Sequence, residues 1–446
     1  MPLGYAPCYD GPVFESLQIK FPKQETNNRF GRAALYPYYP GFSPQFAKSL
    51  IKSTGLPRGA TVLDPWNGSG TTTWSASVLG YRALGFDLNP AMVIVAKARS
   101  LCRREATSLW PLTSEVVEKA AKQRSVTVTE SDPLNTWLVP RATEFFRRLE
   151  CAIQMLLVDH AHYEHLAKCK NLNEVSDLAS FFYTALFRTA RDILKPFFTS
   201  NPTWIKVPRS HRLRLRPPGR SIGSIFTNHV RSMVKIISST PPNSEDSSGE
   251  TRIALTSSCS LPLEQCSVDL VLASPPYCTR IDYAVATAPE LAILGYRGWD
   301  NGLTLRRSLI GSTTVPSVAP ELSPEWGKTC IEFLSEVRRH RSKASATYYF
   351  KAHAQYFDGI SRSISELSRV LKNGGICLLV AQDSYYKDVY NNLPGIIAEM
   401  ADIQHLRLGR REEFILTRTM AGVNPAVRRY RRASNACETV LCFTKR

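Results

Sequence analysis

The sequence predicts a doubly wound α/β sheet that is interrupted by a largely helical insertion. Three patterns predict this fold: a strand-loop-helix-strand unit near the beginning, apolar residues at helical spacing in the middle, and renewed strand-helix alternation at the end. The chain has 446 residues, of which 43% are apolar, so it is long enough for one large or two ordinary domains. We therefore divide it into residues 1–105 and 246–446, the two halves of one α/β domain, and an insertion at 106–245.

The composition favours a basic protein with a polyanionic partner. The net charge of +18 and the pI near 9.5 favour nucleic acid, although a generally basic surface is an alternative. No apolar run approaches the roughly 20 residues of a membrane span, and the first residues lack the basic and apolar regions of a signal peptide. The eleven cysteines form no CxxC pair, which favours reduced thiols over structural zinc. We therefore expect a cytoplasmic protein with no membrane contact.

The first half carries the opening unit of the sheet. In chain order we predict a strand at "GATVL" (59–63), a helix at 73–79, a strand in "GYRALGFDLNP" and a helix in "AMVIVAKARSL". An earlier helix is expected in "PGFSPQFAKSLIKSTGL", where Ser43 is a suitable N-cap and Pro44 a suitable first helical residue.

The middle and the end of the chain differ in pattern. Helical spacing in the insertion is clearest in "ATEFFRRLECAIQMLLVDHAHYEHLAKC" and "EVSDLASFFYTALFRTARDILKPFF". The polar segment "SSTPPNSEDSSGE" (238–250) is typical of a flexible linker. After it we predict a strand in "SVDLVLA", a helix in "YFDGISRSISELSRVL", a strand after the turn in "KNGGICLLVAQDS", and a final antiparallel pair in "HLRLGRREEFIL" and "ETVLCFTK".

The loop "DPWNGSGTT" (64–72) follows the first strand. Gly68 and Gly70 allow the backbone to bend and to approach a ligand closely, and the spacing matches neither a phosphate loop nor GxGxxG. Asp87 ends the next strand, where a carboxylate can accept both hydroxyls of a ribose. Together, the glycine loop and Asp87, at about 20 residues' separation, predict an adenosine-bearing cofactor. A plain tight turn with an N-cap aspartate is the alternative.

A second motif, "SPPY" (274–277), follows the apolar strand at 268–273. Proline fixes φ and removes a hydrogen-bond donor, so the chain leaves the sheet there in a stiff, extended shape. Taken alone, the motif is more typical of a cis-proline or edge turn beside a core tyrosine.

Both motifs resemble those of one family. "LDPWNGSGTT…GYRALGFDLNP" resembles the S-adenosylmethionine (SAM) motifs of DNA amino-methyltransferases, often DPFxGSGTT, and "ASPPYCTRIDY" resembles their catalytic motif, [DNS]PP[YFW]. "YPYYPGFSPQFAKSLI" resembles the segment that contacts the methionine end of the cofactor, and "RVLKNGG" and "ETVLCFTK" resemble later segments. The resemblance covers roughly residues 28–105 and 250–446 and implies a Rossmann-like class I SAM methyltransferase sheet of seven strands.

The resemblance implies SAM as cofactor and no metal, because SAM carries its own leaving group. The residues that the resemblance assigns to SAM are Asp64, Pro65, Trp66, Gly68, Ser69, Gly70, Thr71, Asp87 and Asn89. Family members commonly have an acidic residue at the end of the third strand, near the adenine ring. Here "ALTSSCSLPL" offers only Ser257 and Ser258.

The same resemblance assigns catalysis to Ser274, Pro275, Pro276 and Tyr277. Ser274 and the Pro275 carbonyl would accept hydrogen bonds from an exocyclic amine, freeing its lone pair for attack, and the prolines would hold that carbonyl rigidly. Tyr277 would stack on a base flipped out of the duplex. Serine in the first position is commoner among cytosine-N4 enzymes, so we predict N4-methylcytosine, with N6-methyladenine as the alternative.

The predicted partner is double-stranded DNA, contacted through the insertion. The arginines of "PRSHRLRLRPPGR" would contact phosphates, unless this is a solvated loop, and Trp204 would stack on a base, unless it lies in the core. The predicted DNA-binding residues are Arg209, Arg212, Arg214, Arg216, Trp204 and Arg280. The motif order is compatible with a target-recognition region in the insertion. A restriction endonuclease or defence-complex partner in a bacterial or archaeal cell, an RNA substrate, and a partner-dependent subunit remain open.

Overall fold

The computed structural model describes most of the chain from residue 14 onward. The segments outside the described residues are 24–30, 38–40, 124–125, 159–162, 169–171, 200–203, 241–248, 279–280, 298–300 and 417–435. Most of the predicted linker therefore lies outside the described residues, as does the predicted DNA-binding residue Arg280.

The described residues contain the following strands and helices. The strands are β1 (Thr61–Asp64), β2 (Arg82–Asp87), β3 (Thr251–Leu255), β4 (Val268–Ala273), β5 (Leu371–Gln382), β6 (Ser384–Tyr386), β7 (Val389–Asn391), β8 (Leu406–Leu416) and β9 (Ala436–Lys445). The helices are α1 (Pro44–Ser53), α2 (Thr71–Val78), α3 (Pro90–Ser100), α4 (Ala106–Lys122), α5 (Pro140–Leu157), α6 (Asp177–Ile193), α7 (Gly219–Ser238), α8 (Tyr283–Ala286), α9 (Ala288–Ile293), α10 (Asn301–Ser308), α11 (Lys328–Arg339), α12 (Phe350–Val370) and α13 (Leu393–Ile403).

The main sheet has seven strands in the order β3-β2-β1-β4-β5-β9-β8. The first five are parallel, and β9 runs antiparallel to both β5 and β8. This order confirms the predicted doubly wound sheet and its antiparallel final pair. The predicted turn in "KNGG" is instead part of β5, where the register with β4 shifts between Val268 and Leu270. Because β1, β2 and β4 are parallel, the residues that follow them meet at one edge of the sheet.

Both faces of the sheet are covered, which explains the unbroken apolar run of β4. Leu270 and Leu272 pack with α1 in one core, while Val271 and Ala273 pack with α11, α12 and α13 in the other. Helix α1 begins as predicted, with the Ser43 hydroxyl accepting a hydrogen bond from the Phe46 amide at 3.0 Å. The central strands are thereby held rigidly beneath the loops that follow them.

The helices α4 to α7, within residues 106–238, form a third core around α3. Helix α3 is buried from Pro90 to Arg99, because the sheet covers one side of it and α6 packs against another. None of the described helices has the length and apolar character that a membrane crossing requires.

Two arginines, the buried Arg147 and the partly buried Arg191, join this helical layer to α9, which follows the SPPY motif in the chain. The Arg147 guanidinium pairs with Asp132 at 2.8 Å and with Glu150 at 2.6 Å, and donates to two carbonyls at the end of α9. Arg191 pairs with the fully buried Glu290 of α9. Burial of paired charges restricts the geometry more than it stabilises the fold, so the position of α9 is closely specified.

Candidate active site

A cleft opens at the carboxyl edge of the parallel strands and contains about 910 Å³ of empty space, part of it open solvent. It brings together both motifs that the sequence singles out, although they are about 200 residues apart in the chain. Of the residues predicted to bind the cofactor or catalyse the reaction, those that line the cleft are Asp64, Pro65, Trp66, Gly68, Ser69, Thr71, Asp87, Asn89, Ser274, Pro275, Pro276 and Tyr277. The structure thus places the loop after β1 and the corner after β4 around one space.

Asp87 ties the glycine loop to the end of β2. One carboxylate oxygen accepts from the Gly68 amide at 2.8 Å and the other from the Asn89 amide at 2.8 Å. The loop also lies directly on β2, because a Cβ atom at Gly85 would be 2.4 Å from the side-chain nitrogen of Asn67. Gly85 is therefore required for the close approach of the loop to the strand.

The two cleft carboxyls have raised pKa values. Burial raises the pKa of Asp87 to about 6, against the opposing effect of its backbone hydrogen bonds. Burial also raises the pKa of Asp64 to about 7, and the neighbouring charge of Asp87 adds to this. A ligand that donates hydrogen bonds to these groups would favour their ionised forms.

Gly70 lies outside the lining of the cleft. Its φ is +81°, and a Cβ atom there would approach the Ala96 Cβ to 2.9 Å. The left-handed backbone and the contact with α3 account for the glycine by packing alone. The prediction that Gly70 binds the cofactor therefore has no support from its position.

The rest of the cleft fits an adenosine-bearing cofactor. Gly41 and Phe42, from the segment predicted to contact the methionine end of SAM, line the cleft. The indole nitrogen of Trp66, another lining residue, is buried without a hydrogen-bond partner. At the end of β3, Ser258 lines the cleft, whereas Ser257 does not. The Ser258 hydroxyl is already bonded to another hydroxyl at 2.9 Å.

The SPPY corner is held by hydrogen bonds with three other elements. The Ser274 hydroxyl donates to the Val380 carbonyl of β5 at 3.0 Å. The Tyr356 hydroxyl of α12 donates to the Pro276 carbonyl at 2.7 Å, and the Tyr277 amide donates to the Tyr283 hydroxyl at 3.1 Å. Within the described residues, no group donates a hydrogen bond to the carbonyl of Pro275. No peptide bond described is cis, so the cis-proline alternative is wrong.

Tyr277 is partly exposed to the cleft rather than buried in the core. Its hydroxyl lies 3.5 Å from a carboxylate oxygen of Glu438, at the start of β9. Glu438 is buried, and burial raises its pKa. The ring of Tyr277 therefore presents a face to the cleft while its hydroxyl end is held at the sheet.

The predicted DNA-binding residues that the structure describes lie outside the cleft lining. Arg209, Arg212 and Arg216 are exposed and Arg214 is half-buried. Trp204 is 52% exposed, so the alternative that it belongs to the core is wrong. Among the described residues, no group of histidine, cysteine and acidic side chains could hold a metal ion.

Several lining residues were not predicted from sequence. They are Asn67, Leu88, Met92, Thr256, Tyr283, Leu309 and Ile310. Asn67 and Leu88 lie within or next to the predicted motifs, and Tyr283 ends the quoted stretch "ASPPYCTRIDY". Leu309 and Ile310 follow α10 and carry no local signal, because only the fold brings them over the cleft.

Comparison with known proteins supports the same family. A family model for N6/N4 methyltransferases, described as DNA methylase, matches residues 268–446. The type II methyltransferase M.BsoBI of Geobacillus stearothermophilus is 26% identical over 286 residues, which cover 58% of this chain and 52% of that protein. M.AvaI of Anabaena variabilis is 29% identical over 150 residues, 31% of each chain. The matched part of this chain thus spans about half of the first relative and a third of the second.

Two solved structures align with this chain at low similarity. A SAM-dependent methyltransferase from Methanosarcina mazei aligns with a TM-score of 0.29 and 9% identity, over 89% of this chain and 96% of that one. The rRNA methyltransferase aviRa from Streptomyces viridochromogenes aligns with a TM-score of 0.28 and 9% identity, over 91% and 87%. This chain is therefore similar, over residues 268–446, to the DNA methylases of that family model and, at 26% and 29% identity, to two type II methyltransferases.

Proposed function

We propose that this protein transfers a methyl group from SAM to the exocyclic N4 of cytosine in double-stranded DNA. The observation that carries the proposal is the orientation of the Ser274 hydroxyl, which donates its single proton to the Val380 carbonyl. Only oxygen lone pairs then remain for a ligand in the cleft. A serine held in this way is an acceptor, as an aspartate or asparagine oxygen would be at the same position.

The free Pro275 carbonyl supplies a second acceptor. SAM, when bound, supplies an activated methyl group on its sulfonium. The amine of cytosine is a weak nucleophile because its lone pair is delocalised into the ring, and two acceptors on its N–H bonds oppose that delocalisation. Because Pro276 and Tyr277 are pinned through their backbone atoms, the acceptors need little rearrangement during the reaction.

Tyr277 supports the base. Its ring faces the cleft, where it can stack on a nucleotide extruded from the duplex. The cofactor would be held by the Asp64–Thr71 loop, by Asp87 and by Asn89, which line the other side of the same cleft. With the base on one side of the cleft and SAM on the other, the exocyclic amine would face the methyl group of SAM.

Two features support DNA and a modification system. The chain carries a net charge of +18, and its relatives M.BsoBI and M.AvaI are type II methyltransferases. We therefore propose a cytoplasmic enzyme of a restriction-modification or defence-type system, with residues 106–245 contributing to target recognition. Adenine N6 is the second candidate, since the two acceptors of the SPPY corner fit either amine.

The first experiment is product analysis. The purified chain is incubated with SAM and unmodified duplex DNA, the DNA is digested to nucleosides, and the products are identified by mass spectrometry. N4-methylcytosine is the expected product. N6-methyladenine would replace the proposed base while keeping the chemistry. SAM binding without any modified base in DNA would overturn the proposal in favour of an RNA substrate or a required partner.

A further inference from the structure

Tyr283 contacts the catalytic corner, which is the SPPY corner at Ser274–Tyr277, and it also lines the cleft. It is the first residue of α8 and lines the cleft, and its hydroxyl oxygen accepts a hydrogen bond from the Tyr277 amide at 3.1 Å. A phenol that accepts in this way still carries its own proton. Within the described part of the chain, no acceptor takes that proton. The proton is therefore available to a ligand in the cleft.

The position of Tyr283 is fixed by the hydrogen bonds of its neighbour Asp282. Asp282 caps α8 through the Val285 amide at 3.1 Å. The other Asp282 oxygen accepts from the Arg306 guanidinium at 2.9 and 2.7 Å and from the Thr313 hydroxyl at 2.7 Å. These bonds fix the start of α8, so the hydroxyl of Tyr283 is confined to a small region of the cleft wall.

A chain of hydrogen bonds joins Tyr283 to the predicted cofactor loop. The Asn89 side chain donates to the Thr287 hydroxyl at 2.9 Å, and Thr287 donates to the Tyr283 carbonyl at 2.9 Å. The Asn89 amide in turn bonds to Asp87. Burial raises the pKa of Tyr283, and the negative charge of Asp87 adds to this, so the hydroxyl keeps its proton and remains a donor.

We propose that Tyr283 links cofactor binding to the shape of the catalytic corner. Its hydroxyl donates to the bound cofactor while it accepts from the Tyr277 amide, so an occupied cofactor site stiffens the corner that receives the base. The link is reciprocal, since whatever orders the corner also raises cofactor affinity. The inference rests on the proposed function, because it takes SAM as the ligand.

Tyr356 provides a matched control. Its hydroxyl also pins the corner, through the Pro276 carbonyl at 2.7 Å, and its side chain is buried. Unlike Tyr283, it lies outside the lining of the cleft. Tyr356→Phe and Tyr283→Phe therefore each remove one hydroxyl and one hydrogen bond to the corner, but only Tyr283→Phe removes a donor that faces the ligand.

The test is residue-resolved hydrogen exchange of the Tyr277 amide, with and without saturating SAM. In the unaltered chain and in Tyr356→Phe, SAM should slow exchange by at least about fivefold. In Tyr283→Phe, exchange should be the same with and without SAM, and SAM affinity should fall severalfold. Melting temperatures of the three cofactor-free proteins show whether the substitutions leave the fold intact.

A second measurement uses only the unaltered chain, so it does not depend on whether Tyr283→Phe folds. With ¹³Cζ-labelled tyrosine in the unaltered chain, SAM should shift the Tyr283 resonance and leave that of Tyr356 in place. Full SAM-dependent protection of Tyr277 in Tyr283→Phe, or an unmoved Tyr283 resonance, would overturn the inference while methylated cytosine still upheld the proposed function. Absence of SAM binding in all three proteins would overturn both.

Discussion

At the scale of single residues, a substitution of Ser274 is the most direct test of the proposed methyl transfer. Ser274→Ala removes one of two acceptors for the amine, and the loss of one preorganised hydrogen bond in a transition state typically lowers kcat by about 10²–10³-fold. SAM affinity should be unchanged, because the hydroxyl is bonded to Val380 and its lone pairs face the base.

Ser257→Ala is a suitable control for this change. Ser257 also follows a strand at the carboxyl edge but lies outside the cleft lining, so it should retain full kcat. Single-turnover kinetics and calorimetric SAM titration measure the two effects separately. Equal loss of SAM binding and transfer in Ser274→Ala would show that the residue serves the cofactor or the fold instead.

The raised pKa of Asp87 predicts a pH dependence for SAM binding. Its pKa is about 6 in the free protein, and a carboxylate that accepts ribose hydroxyls must be ionised. Binding therefore favours deprotonation, and SAM affinity should rise with pH through this pKa, by about tenfold between pH 5 and pH 7.5. Calorimetry near pH 6 in two buffers of different ionisation enthalpy should detect the released proton.

Asp87→Asn tests the assignment. Asparagine carries no titrating group, so the step near pH 6 should disappear and affinity should be low throughout. A profile for Asp87→Asn that still rises by the same factor would assign the titration to Asp64, whose pKa of about 7 lies close by.

At the scale of structural elements, the position of α9 depends on the buried charges of the helical layer. Arg147→Leu would leave Asp132 and Glu150 buried without their counter-charge and would remove two donors to α9. Breaking a buried pair in this way costs about 3–5 kcal/mol. The free energy of unfolding, measured by chemical denaturation, should fall by that amount.

Arg148→Leu, at the next position of α5, is the comparison. Arg148 pairs with Glu144 in a partly exposed ion pair, and such pairs contribute at most about 1 kcal/mol. If the two variants lost similar stability, the pairing of Arg147 would not be what holds α9 to the helical layer.

The same scale shows what the sequence can predict. The Asp64–Thr72 loop and the Ser274–Tyr277 corner are local motifs at strand ends, so their residues could be recognised in the sequence, although it was the family resemblance that joined them in one site. The partners that orient the corner come from β5, α12 and α8: Val380, Tyr356 and Tyr283. Two of them are 80 and 106 residues away in the chain. Their roles follow only from the packing of these elements.

At the scale of the whole molecule, the basic loop of the insertion should contribute to DNA affinity. Arg212 and Arg216 are exposed, and phosphate contacts by arginine release counterions. The double variant Arg212→Ala with Arg216→Ala should bind DNA more weakly. The slope of log affinity against log salt should decrease by about 1.8, with the methylated sequence unchanged.

The control is an equal change of charge at the other edge of the sheet. Arg58 precedes β1 and Arg407 lies near the start of β8, and both are exposed, away from the cleft. Their double alanine variant should leave the salt slope nearly unchanged. Equal slopes for the two double variants would mean that general charge, rather than the loop, attracts the DNA.

The burial of α3 on all sides has a consequence for engineering this protein. The helix is covered by the sheet and by the helical layer of α4 to α7. The helical layer therefore shares a hydrophobic core with the α/β domain and is not a separate domain. A shortened chain that joined the two α/β halves directly would expose apolar side chains from Pro90 to Arg99 to water, a patch of the kind that drives aggregation. Chimeras that exchange recognition regions between relatives should therefore keep α6 and replace only surface loops.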